Sequence, residues 1–201
     1  GGPGPDALMA LMRLLVQLTD DDAVVAVPGI ASGDWPGAPV SEEEYRAHAG
    51  VLDGVALVGR GSVADRLFSR PSVNVIGIDA PAVAGSRNAL VHTARARVSL
   101  RVPPAQSAPE ALVILVEWLE THVPWNAKVK VTPGVSGCGF AAHTGGPIYS
   151  AAVEAMRAAF GAEPVFMGSG ASIPLVRALV EALPAAEVVL WGAEEPGCAI
   201  R

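Results

Sequence analysis

The alternation that decides the fold lies in Thr93-Ala94-Arg95-Ala96-Arg97-Val98-Ser99-Leu100-Arg101-Val102. Apolar side chains at the even positions alternate with arginine or serine at the odd positions from 95 onward. Since successive side chains of a β-strand point to opposite faces, this period of two separates the apolar set from the charged set. The pattern predicts a half-buried antiparallel strand, with one face on a core and the other toward solvent.

The segments around this strand predict a compact α+β unit. Ser72–Ala80 is rich in branched apolar residues, which favour a strand. Asp6 precedes a helical stripe of leucines, and Ser107 with Glu110 forms a capping box before a second apolar stripe. Alternation at Val129 and Val131 predicts another strand. The order helix, strand, strand, helix, strand indicates a two-layer, ferredoxin-like α+β domain with an antiparallel sheet.

This first domain is expected to span residues 1–137, with an elaborated insertion at about 23–71. The insertion carries several Pro and Gly residues, and its pattern predicts a capped helix from Ser41 and a short helix around Val63–Phe68. Residues 138–201 are expected to form a separate segment. It holds a helix from Tyr149 to Phe160 closed by Gly161, followed by a partial β-α-β unit with strands at Val165–Met167 and Val188–Trp191.

Composition excludes several classes of function. The 201 residues are 51% hydrophobic and 17% charged, which is ample for a core and argues against disorder. A net charge of −6 disfavours binding to nucleic acid, and no apolar run is long enough to predict a membrane span. Two distant cysteines, Cys138 and Cys198, without a signal sequence predict reduced thiols and a cytoplasmic protein.

One turn stands out as a candidate anion site. In Val165-Phe166-Met167-Gly168-Ser169-Gly170-Ala171-Ser172-Ile173-Pro174 an apolar run stops in a Gly/Ser turn, and a helical pattern then begins. Free backbone N–H groups and the positive end of the helix dipole would meet a carboxylate or phosphate there. An ordinary tight connection with Ser172 as N-cap explains the same residues. The four histidines, at positions 48, 92, 122 and 143, are scattered without metal-ligand spacing.

Three stretches, in this order, resemble a known family. Asn74–Pro81, Gly85–Leu90 and Ala94–Pro103 resemble the lid, or dimerisation, domain of the zinc metallopeptidases that include carnosine dipeptidases, aminoacylases and succinyl-diaminopimelate desuccinylases. Gly168–Pro174 is similar to the family's Gly-Gly-Ser-Ile-Pro turn, and Glu194-Glu195-Pro196 to the stretch before its last metal ligand. The dipeptidase branch is nearest, and the resemblance runs over essentially the whole chain.

The resemblance implies a dipeptidase-like hydrolase in which two zinc ions activate a water that attacks a peptide carbonyl. Arg101 matches the lid arginine that holds the carboxylate or the developing oxyanion of a dipeptide or N-acyl amino acid. Asn88 matches a polar lid position that faces the substrate. Gly170, Ala171 and Ser172 match the turn that binds the substrate carboxylate. The resemblance also implies a homodimer formed through the lid domains.

The departures from the family pattern define a second expectation. The family's metal-binding motifs precede the lid and have no counterpart in these 201 residues. Arg201 stands near the expected final histidine ligand, and Ala171 replaces a glycine. We therefore expect no zinc on this chain alone and no activity without the metal-binding half. The alternative is a noncatalytic dimerisation module or a module that binds small carboxylates.

Overall fold

The computed structural model of the protein describes residues 2–137, 139–168 and 174–190. Five α-helices and two β-strands are formed within these ranges, in an order that mixes the two types. In chain order they are α1 (Ala7–Val16), α2 (Glu42–Ala49), β1 (Ser72–Asp79), β2 (Arg95–Arg101), α3 (Ala108–Thr121), α4 (Pro147–Phe160) and α5 (Pro174–Ala182).

The helices begin and end where local chemistry dictates. Asp6, Ser41 and Ser107 cap α1, α2 and α3, each accepting a hydrogen bond from the backbone N–H three residues on. Gly50 and Gly161 end α2 and α4 in the left-handed region, with φ of 65° at both residues. The three predicted N-caps and the predicted end of α4 at Gly161 are thus confirmed. The expected helix around 63–68 is a single five-residue helical turn, Asp65–Ser69.

β1 and β2 form an antiparallel hairpin. Ser72 lies opposite Arg101, and Asp79 lies opposite Arg95, so the two strands pair along their whole length. The register shifts between Val75 and Gly77, which leaves Ile76 as the extra residue of a β-bulge. The apolar residues Val73, Val98 and Leu100 therefore share one face of the hairpin.

The core lies between this face and helices α1 and α3. Its buried members are Leu14 and Leu18 from α1 and the turn after it, Val27, and Leu115 and Leu119 from α3. Leu18 is 2% exposed, the most completely buried large side chain in the described part. One helix pair packed on one face of an antiparallel sheet confirms the predicted mixed α+β class.

Three predicted strands are not present as paired strands. The backbone at 128–131, at 165–167 and at 188–190 joins no sheet among the described residues, so these predictions were wrong as to pairing. Val131 nevertheless packs on the core, and Phe166 stacks on Tyr149 with ring centroids 5.6 Å apart. Alternation reports that one side of a segment is buried, but a ladder also requires a neighbouring strand in register. Trp191, the last residue of the third predicted strand, lies outside the described residues, and the domain boundary at 137 stays a prediction.

In the region expected as an insertion, 23–71, one carboxylate contacts two backbone N–H groups from different parts of the segment. Asp65 Oδ1 accepts the backbone N–H of Trp35 at 2.7 Å, and Asp65 Oδ2 accepts that of Ser62 at 2.8 Å. These hydrogen bonds, the first above all, hold the pKa of Asp65 below its ordinary value because they favour the ionised form. A long segment with little regular structure is thereby tied to the five-residue helical turn.

Candidate functional site

Arg101 ends β2 on the face opposite the core. Leu100 packs inward, so the neighbouring Arg101 points to the other side of the sheet, where it is exposed. The same face carries Arg95 and Arg97, each exposed, and their cross-strand partners Asp79 and Gly77. The structure therefore places the predicted anion-binding arginine in a row of guanidinium groups on an accessible sheet face.

Asn88 lies in the long loop that joins the two strands. The loop runs from residue 80 to residue 94, and Asn88 is exposed within it. Two hydrogen bonds shape its tip: Ser86 N–H donates to the Val83 carbonyl at 3.2 Å, and Ala89 N–H donates to the Arg87 carbonyl at 2.8 Å. Loops of this length that are held in place are a common location for binding residues.

The loop is attached to the start of α1. Val91 N–H donates to Asp6 Oδ2 at 2.8 Å, while Ala7 N–H donates to the Val91 carbonyl at 2.9 Å. The other carboxylate oxygen of Asp6 caps α1 by accepting Met9 N–H at 2.9 Å. The hydrogen bond from Val91, followed by that from Met9, holds the pKa of Asp6 below its ordinary value. The sequence predicted the cap, but nothing in it indicated a partner 85 residues away.

Within one chain, Arg101 and the Asn88 loop belong to opposite ends of the hairpin. The loop leaves β1 after Asp79 and enters β2 at Arg95, and Arg101 is the last residue of β2. Six residue steps at roughly 3.3 Å each separate the Cα atoms of Arg95 and Arg101 by about 20 Å. The loop that carries Asn88 therefore leaves the sheet at the end of the hairpin away from Arg101.

The Gly-rich turn falls outside the described residues at its decisive positions. Gly170, Ala171 and Ser172 are among the residues that the structure does not describe, as are Glu194, Glu195 and Arg201. Helix α5 is described from Pro174, as the apolar stripe after the turn predicted, and Val176 is buried with 5% exposure. The role of this turn in binding a carboxylate stays a prediction.

A carboxylate that sequence reasoning missed occupies the N-terminus of α4. Glu187 Oε2 accepts the backbone N–H of Tyr149 at 2.9 Å, at a helix start where Gly146 offers no side chain to act as a cap. Glu187 also lies directly against Gly146, in the space that a side chain there would fill. The two groups are 38 residues apart in sequence, and neither capping pattern nor periodicity could have paired Glu187 with Tyr149.

The described residues do not fit a two-zinc centre. In ranges 2–137, 139–168 and 174–190, no three His, Cys, Asp or Glu side chains converge as metal ligands would. His122 instead ends α3, where its Nδ1 lies 2.8 Å from the Trp118 carbonyl oxygen and its ring stacks on Trp118 with centroids 4.3 Å apart.

None of the helices in the described ranges has the length and apolar character needed to cross a bilayer.

Comparison with known proteins shows which family this chain resembles. Residues 1–127 match the M20 family described as "Peptidase dimerisation domain". The whole chain is similar to the cysteinylglycine-S-conjugate dipeptidase of Corynebacterium striatum, with 35% identity over 205 residues that make up 45% of that protein. The chain thus spans less than half the length of this curated relative.

Solved structures show the same fold. Human carnosine dipeptidase 1 superposes with a TM-score of 0.71 at 22% identity, over 92% of this chain and 42% of that one. The dipeptidase Dug1p from Saccharomyces cerevisiae gives a TM-score of 0.68 at 19% identity, over 92% of this chain and 41% of that one. At these identities the similarity concerns the arrangement of helices and strands.

Proposed function

Because the chain belongs to the M20 peptidase family through its dimerisation domain, we propose that it forms the lid and the C-terminal catalytic segment of a zinc-dependent dipeptidase. The observation that carries this proposal is the match to a dipeptidase along the whole of the chain. The same match leads us to favour a hydrolase over a noncatalytic dimerisation module or a module that binds small carboxylates.

The role proposed for these residues is to bind the substrate rather than to break its peptide bond. The guanidinium of Arg101 would receive the carboxylate or the developing oxyanion of a dipeptide or N-acyl amino acid through charge-assisted hydrogen bonds. Asn88 would add an amide from the hairpin loop. Backbone N–H groups at Gly170 and Ala171, with the Ser172 hydroxyl, would bind an anion at the start of α5.

The position of Arg101 and the Asn88 loop at opposite ends of the hairpin supports a homodimer. A dipeptide is shorter than the roughly 20 Å that β2 spans, so one substrate cannot contact both ends of one hairpin. In a symmetric dimer, Arg101 of one protomer and Asn88 of the other can contribute to the same site. The exposed sheet face, and the strand edges that pair with no other strand within residues 2–137, 139–168 and 174–190, are suitable for such an association.

Zinc and its chemistry belong, in this proposal, to the part of the enzyme that holds the metal ligands. The described residues offer no centre of the required kind, so no reaction step is assigned to a metal on them. We propose accordingly that the 201 residues alone do not hydrolyse peptides. We also propose a cytoplasmic location, since two cysteines in 201 residues do not suggest a disulfide-stabilised extracellular domain.

Calorimetric titration of the chain with cysteinylglycine tests the binding role. Arg101→Ala removes the proposed anion partner, and we expect affinity to fall about tenfold to a hundredfold, as for loss of a charged hydrogen bond. Arg97→Ala is the matched control, since Arg97 lies on the same face of the same strand and is also exposed. Equal affinity in Arg101→Ala and the wild type would contradict the assignment.

Elemental analysis after zinc loading and desalting tests the metal proposal. We expect close to no zinc per chain. About two zinc ions per chain would mean that ligands exist on these residues and that the chain can form the centre by itself.

A further inference from the structure

One carboxylate connects the start of α1 to the loop that carries Asn88. Asp6 uses Oδ1 to cap the helix at Met9 and Oδ2 to accept the backbone N–H of Val91. A second hydrogen bond joins the same two segments, since the Val91 carbonyl accepts the backbone N–H of Ala7 at 2.9 Å. We propose that Asp6 is a positioning residue that holds the Asn88 loop in its binding conformation. This inference rests on the proposed role of Asn88.

The attachment is strong for a partly exposed site because the acceptor is ionised. Hydrogen bonds to a charged carboxylate contribute more than those between neutral groups. Both Asp6 and Val91 are partly buried, so water competes less well for the bond than it would at a fully exposed position. The lowered pKa of Asp6, caused first by Val91 N–H, is the electrostatic counterpart of this contact.

The anchor restricts Asn88 because Asn88 and Val91 are only three residue steps apart in the chain. Three steps reach at most about 11 Å, so fixing Val91 beside the start of α1 confines the Cα atom of Asn88 to that radius from the Cα atom of Val91. Asn88 lies near the middle of a loop that runs from residue 80 to residue 94, so loss of the hydrogen bond between Asp6 and Val91 would leave the Ala7–Val91 backbone bond to hold this part of the loop to α1. Ordering such a loop on ligand binding would cost conformational entropy that the anchored loop has already lost.

Asp6→Ser distinguishes the two roles of this side chain, which are to cap α1 and to accept the backbone N–H of Val91. Serine is as good an N-cap as aspartate, and its single hydroxyl can accept Met9 N–H. It has no second oxygen to reach Val91. Asp6→Ala removes both contacts, and Ser107→Ala removes the cap of α3 without touching the loop. These three variants distinguish loss of the loop anchor from general loosening of a helix.

Amide hydrogen exchange measured by NMR on the 201-residue chain reports the anchor directly. We expect the Val91 amide to exchange about tenfold faster in Asp6→Ser and Asp6→Ala, the effect of losing one hydrogen bond to a charged group. The helical amides of α1 should keep their protection in Asp6→Ser and lose part of it in Asp6→Ala. Ser107→Ala should leave Val91 unchanged. Unchanged exchange at Val91 in Asp6→Ser would overturn the proposal.

Titration with cysteinylglycine then tests whether the anchor matters for binding. We expect Asp6→Ser to weaken binding about threefold to tenfold, approaching Asn88→Ala, because Asn88 is still present but its loop is then held to α1 by the backbone hydrogen bond from Ala7 to Val91 without the one to Asp6. If Asn88→Ala weakens binding while Asp6→Ser does not, the positioning role is wrong and the proposed function stands. If Asn88→Ala binds as the wild type does, the proposed role of Asn88 fails, and the positioning role fails with it.

Discussion

Truncation of Leu14 to alanine tests the packing on which the fold depends. Leu14 is 3% exposed and belongs to the core cluster formed by α1, α3 and the inner face of the hairpin. Removing three buried carbons loses about 2.4 kcal/mol of transfer free energy at roughly 0.8 kcal/mol each. The cavity left behind raises the expected loss of unfolding free energy to about 3–4 kcal/mol. Alanine is an excellent helix former, so this loss cannot be attributed to helix propensity.

The assay is urea unfolding followed by far-ultraviolet circular dichroism, with linear extrapolation to water. Val16→Ala is the matched control, since Val16 ends the same helix with 72% of its surface exposed. We expect that variant to lie within about 0.5 kcal/mol of the wild type. A loss below about 1 kcal/mol in Leu14→Ala, or an equal loss in both variants, would refute the packing of α1 against the sheet and α3.

Two further predictions concern carboxylates. The folded-state pKa of Asp65 is lowered from the ordinary value of 3.8, first by Trp35 N–H and then by Ser62. The stability that the ionised carboxylate contributes is therefore present above pH 3.8 and is lost as pH falls through the lowered folded-state pKa. Urea midpoints measured from pH 6 to pH 3 should fall less steeply in Asp65→Asn than in the wild type, and parallel curves would contradict this. Gly146→Ala should displace Glu187 from the start of α4, because the added methyl group would occupy the position of the Glu187 carboxyl group. Gly134→Ala is the control, since a methyl group there meets no atom within 4 Å. Exchange of the Tyr149 amide should accelerate about tenfold in Gly146→Ala alone, as expected for loss of one charge-assisted hydrogen bond, and equal exchange in the two variants would contradict the prediction.

Much of the candidate site could be located from the sequence, because its residues lie in recognisable local patterns. Alternation placed Arg101 on the solvent face of β2, and the resemblance alone singled out Asn88, which the structure places in the loop between the strands. The resemblance to the dipeptidase branch is confirmed at the level of the family. The roles of Arg101, Asn88 and the turn at 170–172 stay predictions.

The spatial relation of these residues could not be derived in the same way. Arg101 and the Asn88 loop are neighbours in the chain but belong to opposite ends of the hairpin, which follows from the register and length of two paired strands. Arg101 and Asn88 would therefore contribute to one site only if they came from two different protomers. The proposed dimer is therefore an argument from geometry as well as from family membership.

The sequence by itself determined the helices, the N-caps of the first three and the positions of β1 and β2, because a cap, a stripe and an alternation depend on residues a few positions apart. It also determined which segments have a buried side, including the one at Val131. Tertiary structure alone decided which extended segments pair, and which distant groups the Asp6, Asp65 and Glu187 carboxylates contact. A hydrogen bond needs a partner at the right distance and angle, and only the folded chain brings together groups that are 30 to 85 residues apart.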